Sequence, residues 1–589
     1  MSSSRIARLL VLLSAPAMLG VTPEALPDSP PTSRMLFAVR TAMRDGVNLV
    51  SDIWLPKEPG RYPALLVRLP YGRSNRDSTQ PGSPSDFAAY GKFFVEHGYV
   101  LVVQDTRGRG DSEGQSSFFF SDGRDGYDTI EWIAKQPWSN GKVGMWGGSY
   151  LATVQWLAAR EHPPHLLCIA PAAAAGRYFD EIPYQGGAFA LSFAIGFHHF
   201  TSGHGNQVNT DGLDMNEIFR HRPLLTVDDA FGQRMPEYRE FLEHDTLDEY
   251  WKRIQFTAAD FKTIDIPSLT MTGWFDDDQP GALFYWRGMR AHSPAKDEQY
   301  LIAGPWTHAQ VFVGGDRRLG AFEFSPDATY DPKALELAFF DYCLKGTAPK
   351  FDFPRARIYV TGSNRWRIED EYPPRRAQVR ALYFHSGGKA NTLGGDGRLS
   401  WQAPKREPTD SYRYVPDDPV MPADNEEPGT DQRYIERRDD VLVYTSDPLK
   451  GSVEVVGDVF VHLYAATDAR DTDFTARLLD VEPQGRALQL GPVPVGIIRA
   501  RYRNSREHTE LLTPGKREHY RIELFDIAHA FLAGHRIRVE ISSSYAPMFH
   551  PNPNTGNAIA TDTDSKPANQ TIFHEASASS YVALPTLPE

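Results

Sequence analysis

Residues 142–157, KVGMWGGSYLATVQWL, decide the fold. KVGMW is a short apolar run suited to a buried strand. Leu151, Val154, Leu157 and Ala158 then recur at helical spacing, so a helix follows. Only Gly147, Gly148, Ser149 and Tyr150 separate the two patterns, and the glycines permit the sharp turn this requires. A serine on such a turn is lifted above the sheet, with a helix N-terminus aimed at it. The sequence departs from the general glycine-x-serine-x-glycine spacing, because Leu151 stands two places after the serine and Ala152 follows. Taken alone, the turn also fits a plain structural loop, so its surroundings must decide.

Working outward, LFAVRTAMRD and VNLVSDIWLP alternate like antiparallel edge strands, whereas ALLVRL and VLVVQD are continuous apolar runs of interior strands. GRDGYDTIEWIAKQP supplies a helix closed by Pro137, completing a strand, helix, strand pattern and indicating an α/β class. After LLCIAP the strand pattern pauses until IPSLTMTGW. The interval holds helix-like DGLDMNEIFRH and PEYREFLEHDTLDEYWKRIQ, as expected of an inserted helical cap. QYLIAGPW and the helix DPKALELAFFDYCLKG, stopped by Gly346, follow. From about residue 353, runs such as RARIYVTG, VRALYFHS and HRIRVEISSS alternate with turn residues, which predicts an all-β jelly-roll sandwich. The Pro- and acid-rich stretch 404–428 reads as a surface loop or lid, and no fixed-period repeat is found. The expected division is a signal peptide at 1–25, a catalytic α/β domain at 34–176 and 263–352, a cap at 177–262 and a jelly roll at 353–589.

The 589 residues require more than one core, and a net charge of −14 argues against nucleic acid as a partner. Arg5 and Arg8 precede an apolar run from Leu9 to Leu19 in which Ala15 and Ala17 offer an A-x-A cleavage pattern, as expected of an exported chain destined for the periplasm or medium. That run is too short for a stable membrane span. Cys168 and Cys343, far apart in sequence, are expected to be buried free thiols rather than a disulfide framework. No spaced set of Cys, His and acidic ligands suggests a metal; His198, His199 and His204 lack that spacing. No cofactor is called for, and homo-oligomerisation is left open.

A serine hydroxyl needs a histidine to take its proton and an acid to orient that histidine. Asp276 follows SLTMTGWF and His308 follows YLIAGPW, each just past a strand end and in the chain order Ser, Asp, His. Stabilising the oxyanion of acyl transfer also requires donors. The Tyr150 N–H, just after Ser149, and the Tyr71 phenol, at the end of ALLVRLP, are the candidates.

The motifs RLPYGR (68–73), QDTRGRGDSEG (104–114), GGSYLA (147–152), GWFD (273–276) and GPWTH (304–308) occur in this order, with YTSDPL, DTDFTARLLDV, GIIRARYR and NPNTG later. The chain thereby resembles the cocaine esterase and Xaa-Pro dipeptidyl peptidase-like hydrolases, which include α-amino acid ester hydrolases and glutaryl-cephalosporin acylases. The resemblance implies an α/β-hydrolase domain with helical cap and C-terminal jelly roll. It assigns Ser149 as nucleophile, Asp276 and His308 as its partners, and Tyr71 with the Tyr150 amide as oxyanion hole. Ala152 stands where those relatives usually have glycine.

The acyl substrate is less constrained. Asp277, Asp278, Asp180 and Glu181 could form a negative pocket for a substrate ammonium, or could be solvated loop carboxylates. α-Amino acid ester hydrolases are similar in placing acids two and three positions after the triad aspartate; here Asp278 matches and Gln279 does not. Phe179, Tyr184, Trp274 and Phe275 could line an apolar acyl pocket or belong to the core. A small-molecule ester is the leading substrate class, with an Xaa-Pro peptide or β-lactam side-chain amide as alternatives. A glycan-binding, non-catalytic role would leave the Ser, Asp, His order to coincidence.

Overall fold

The computed structural model describes residues 33–73, 87–207, 209–423, 426–492 and 495–588. The expected signal peptide at 1–25 lies outside them. Ten strands form the first sheet: β1 (Ser33–Ala42), β2 (Asn48–Pro56), β3 (Tyr62–Leu69), β4 (Val100–Asp105), β5 (Ser139–Gly148), β6 (Leu166–Ala172), β7 (Ser268–Phe275), β8 (Gln299–Thr307), β9 (Ala356–Val360) and β10 (Arg365–Glu369). Their spatial order is β1-β2-β4-β3-β5-β6-β7-β8-β9-β10. β3 to β9 pair in parallel, and β1, β2 and β10 are antiparallel at the margins. VLVVQD in β4 is buried on both faces, which is why it reads as an unbroken apolar run, whereas marginal β1 is mostly exposed.

Crossover helices cover the sheet, among them α1 (Phe87–Glu96), α2 (Asp122–Ala134) and α3 (Tyr150–Arg160). Between β6 and β7 the chain leaves the sheet and forms cap helices, beginning with α4 (Leu191–Thr201). The long helix-like stretch at 236–255 is in fact split into Pro236–Glu243 and Glu249–Lys252. His244 departs from helical geometry, and Asp248 restarts the chain by accepting the Tyr250 N–H at 2.9 Å. The chain then passes through α5 (Gln279–His292), α6 (His308–Val313) and α7 (Pro332–Phe340).

Two features of the later chain were not legible from its composition. RARIYVTG, assigned to the second domain, supplies β9, which pairs in parallel with β8 and carries β10 with it. A β-rich run looks the same whichever sheet receives it, and here the first sheet runs on past residue 353. The stretch 404–428 also contains a strand, Asp410–Tyr414, whose buried and exposed residues alternate along its pairing with Ala568–Ile572. The strands after Glu369 build an all-β second domain with its own core. Thr361, just beyond β9, joins the two domains: its N–H donates to the Ala528 carbonyl and its carbonyl accepts from Ala530, both at 2.9 Å.

Cys168 is buried and Cys343 only half-buried, both as free thiols. They are neighbours across β6 and the turn after α7, an adjacency hidden by their separation in sequence. Among the described residues, no helix is long and apolar enough to cross a membrane.

Candidate active site

The C-terminal ends of β3, β5, β7 and β8 carry Tyr71, Ser149, Asp276 and His308 to one rim of the sheet, where open α/β sheets place their sites. Ser149 has φ 61° and ψ −127°, a conformation that costs a non-glycine residue on the order of 1–3 kcal/mol. Its N–H donates to Ala172 at 2.9 Å, and its carbonyl accepts from Ala152 and Thr153, which starts α3 immediately. Gly147 has φ 127°, and a side chain at Gly148 would lie 2.1 Å from the Phe312 ring. The turn therefore needs both glycines, for different reasons.

Asp276 is fully buried, and its Oδ1 accepts from His308 Nδ1 at 2.8 Å. The Asp278 N–H at 3.0 Å and the Thr272 hydroxyl at 3.1 Å hold the same carboxylate. His308 opens α6, where Thr307 and Gln310 form a capping box. One turn on, Phe312 meets the His308 ring edge-to-face with centroids 5.1 Å apart. Phe312 thus touches both the histidine and the serine turn, a link that nothing in its surrounding sequence signalled.

Burial by itself would lower the His308 pKa, but Asp276, Asp278 and Asp277 reverse the effect and raise it to about 10. Asp277 and Asp278 each bring a carboxylate oxygen to 3.8 Å from His308 Nδ1. Burial, with its acidic neighbours, keeps Asp278 well above the usual carboxylate range. Asp276, Asp277 and His308 have ligand atoms within 4.8 Å of one another, a spacing open to a cation. An imidazolium at His308 would itself supply positive charge there.

The Tyr71 phenol lies beside Ser149, whose hydroxyl partly offsets the upward push that burial gives the phenol pKa. Its ring lies edge-to-face with Tyr150 at 6.3 Å and against Phe200 at 5.8 Å. Tyr150 locks its own phenol onto Asp122 at 2.6 Å, so what it offers the site is its N–H at the start of α3.

The aromatic residues considered for a pocket belong to the core. Trp274 donates to the Tyr359 carbonyl at 2.6 Å and packs on Tyr372; Phe275 packs on Phe322. Tyr184 donates to the Phe241 carbonyl at 3.0 Å and stacks on Phe179 inside the cap. Each is nearly inaccessible to solvent, because burying so large an apolar surface with its polar atom satisfied stabilises the fold. The cap acids are also engaged. Asp180 pairs with Arg506 at 2.9 Å, and Glu181 accepts the N–H groups of Gly176, Arg177 and Gly281. Burial nevertheless raises Glu181 to about 7. Asp180, Glu181 and Asp277 share a small polar cavity with Arg177, Arg506 and Glu523.

A strained serine at a strand–helix turn, beside an Asp–His pair on neighbouring strand ends, marks a serine hydrolase of the α/β type. Residues 45–310 match the X-Pro dipeptidyl-peptidase (S15 family) model, and residues 350–583 match the X-Pro dipeptidyl-peptidase C-terminal non-catalytic domain. Cocaine esterase of Rhodococcus sp. is 33% identical over 551 residues, spanning 89% of this chain and 93% of that protein. The chain belongs to this cocaine esterase and X-Pro dipeptidyl-peptidase-like family of serine hydrolases. Among solved structures, an aminopeptidase from the marine sediment archaeon Thaumarchaeota archaeon is similar with TM-score 0.83 and 25% identity, covering 98% of this chain and 99% of the other. An α-amino acid ester hydrolase is similar with TM-score 0.82 and 27% identity, covering 96% and 98%.

Proposed function

We propose that the protein hydrolyses carboxylic esters with Ser149 as nucleophile, His308 as base and Asp276 as the group that orients His308. The observation that carries this reading is the 2.8 Å bond from His308 Nδ1 to buried Asp276, on the same rim as a strained serine. With Nδ1 engaged, Nε2 is the nitrogen left to take the serine proton. Ser149 Oγ attacks the acyl carbon, and the oxyanion is received by the Tyr71 hydroxyl and the Tyr150 N–H. Collapse expels the alcohol with the proton from His308. Water, deprotonated by His308, then cleaves the acyl-serine, releasing the acid and restoring the hydroxyl. Release of nitrophenol from short-chain esters by the native protein, with none by Ser149→Ala and no fluorophosphonate labelling of that variant, is the expected result. Retained turnover in Ser149→Ala would overturn the assignment.

A second reading, favoured by Asp277 and Asp278 beside His308 and by the Glu181 cavity, is action on acyl groups bearing a free α-ammonium. The names of the aminopeptidase and amino acid ester hydrolase relatives accord with it. α-Aminoacyl esters should then be hydrolysed faster than their desamino analogues; Xaa-Pro dipeptide anilides and cephalosporins would test the amide alternatives. The 1–25 pattern supports export to the periplasm or medium, which N-terminal sequencing of the mature protein would test.

A further inference from the structure

Arg109 lies in the interior, about 1% exposed, and among the described residues no carboxylate hydrogen-bonds to it. Burial lowers its pKa from the usual arginine value, the sign of a cation stripped of water. Glu237 and Asp105 act on it only through space, so no direct ion pair offsets the cost of burying the guanidinium. Among the described residues, its side-chain bonds all go to neutral acceptors on two segments. Nε donates to the Pro70 carbonyl at 2.6 Å, directly before Tyr71. Nη1 donates to the carbonyls of Thr201 and Gly203 where α4 of the cap ends, and Nη2 donates to Asn206 Oδ1 at 2.6 Å. Asn206 in turn donates through Nδ2 to the Tyr71 carbonyl at 2.6 Å. On the far side of Tyr71, the Arg73 N–H donates to Asp105 at 2.6 Å, anchoring the loop to the sheet.

We propose that Arg109 and Asn206 are positioning residues that fasten the Tyr71 loop to the cap and thereby set where the Tyr71 phenol stands against Ser149. This rests on the reading of Tyr71 as an oxyanion donor. The bonded carbonyls of Pro70 and Tyr71 lie in the two peptides that flank the Tyr71 Cα and fix their orientation, and the phenol follows the backbone that carries it. The Arg109 charge also opposes the effect of burial on the Tyr71 phenol, making it a better hydrogen-bond donor. Cap and oxyanion hole therefore form one mechanical unit, and a substrate that shifts the 201–206 segment alters kcat as well as KM.

A double-variant comparison on nitrophenyl esters tests this. Tyr71→Phe is expected to lower kcat about 100-fold, the usual scale for one lost oxyanion donor. Asn206→Ala, at a partly exposed position where folding should survive, is expected to lower kcat about 10-fold with little change in KM, because misplacement by a fraction of an ångström is costly. Arg109→Lys should behave alike, keeping the charge but losing the fork. In Tyr71→Phe/Asn206→Ala the asparagine should cost nothing further, since no hydroxyl remains to be placed. Multiplying losses in the double variant, or an unchanged kcat in Asn206→Ala, would overturn the fastening while leaving the role of Tyr71 intact. Wild-type kcat in Tyr71→Phe would instead remove the oxyanion reading and the fastening with it.

Discussion

Phe312 stands in the space that a side chain at Gly148 would need: an added Cβ would come within 2.1 Å of its ring. The same ring packs edge-to-face on His308, so the serine turn and the histidine share one spacer. Gly148 has no positive φ, and alanine there meets a steric obstacle rather than a conformational one. Gly148→Ala should push α6 outward and lower kcat/KM about 100-fold, the scale of a misplacement near 1 Å. Gly148→Ala/Phe312→Ala should recover part of the loss in the same ester assay. No recovery would mean that the contact does not set the spacing.

The three groups of the proposed triad should behave as one unit. Ser149→Ala and His308→Ala should each lose most of the activity, Asp276→Asn about 10⁴-fold, and combined variants little more than the worst single one. Circular dichroism should show the fold intact. Additive losses would mean that the groups act separately.

pH dependence follows from the carboxylates around His308. Only the neutral imidazole accepts the serine proton, so kcat/KM should rise with pH through a His308 pKa near 10, above the ordinary 6.5. Asp278→Asn removes a charge that favours the protonated ring, so the acid limb should move to lower pH by about one unit. A limb that stays in place, or moves upward, would show that Asp278 does not act on the histidine.

Trp274 should affect stability rather than selectivity. Trp274→Ala should destabilise the protein by about 3–5 kcal/mol in denaturant unfolding, because it empties a core site where the two domains meet. Trp274→Phe should leave the preference among acyl chain lengths unchanged. A changed preference would return the residue to the pocket.

The sequence disclosed whatever has a local signature. The KVGMW run, two glycines and a helical stripe specify the serine turn, and Asp276 and His308 end apolar runs that could only be interior strands. Contacts made across the fold were not legible. Trp274, Phe275 and Tyr184 carry the composition of a pocket wall, and only their partners Tyr359, Phe322 and Phe241 show them to be packing. Arg109 stands in a motif noted only by resemblance, and its bond to Asn206 brings together segments with no shared pattern. Strand β9 carries no mark of which sheet it joins, because either would bury the same side chains.

The membership of β9 and β10 in the first sheet bears on how the chain can be cut. Shortening it at 352, where composition changes, would strip β8 of its parallel neighbour and expose the backbone groups that now pair from Leu301 to Ala303 with Ala356 to Ile358. His308 sits at the end of that same strand, so the damage would reach the rim that carries the proposed triad as well as creating a sticky, aggregation-prone border. A truncated hydrolase would have to keep at least Glu369, and even then would uncover the Ala528 and Ala530 groups that Thr361 now satisfies.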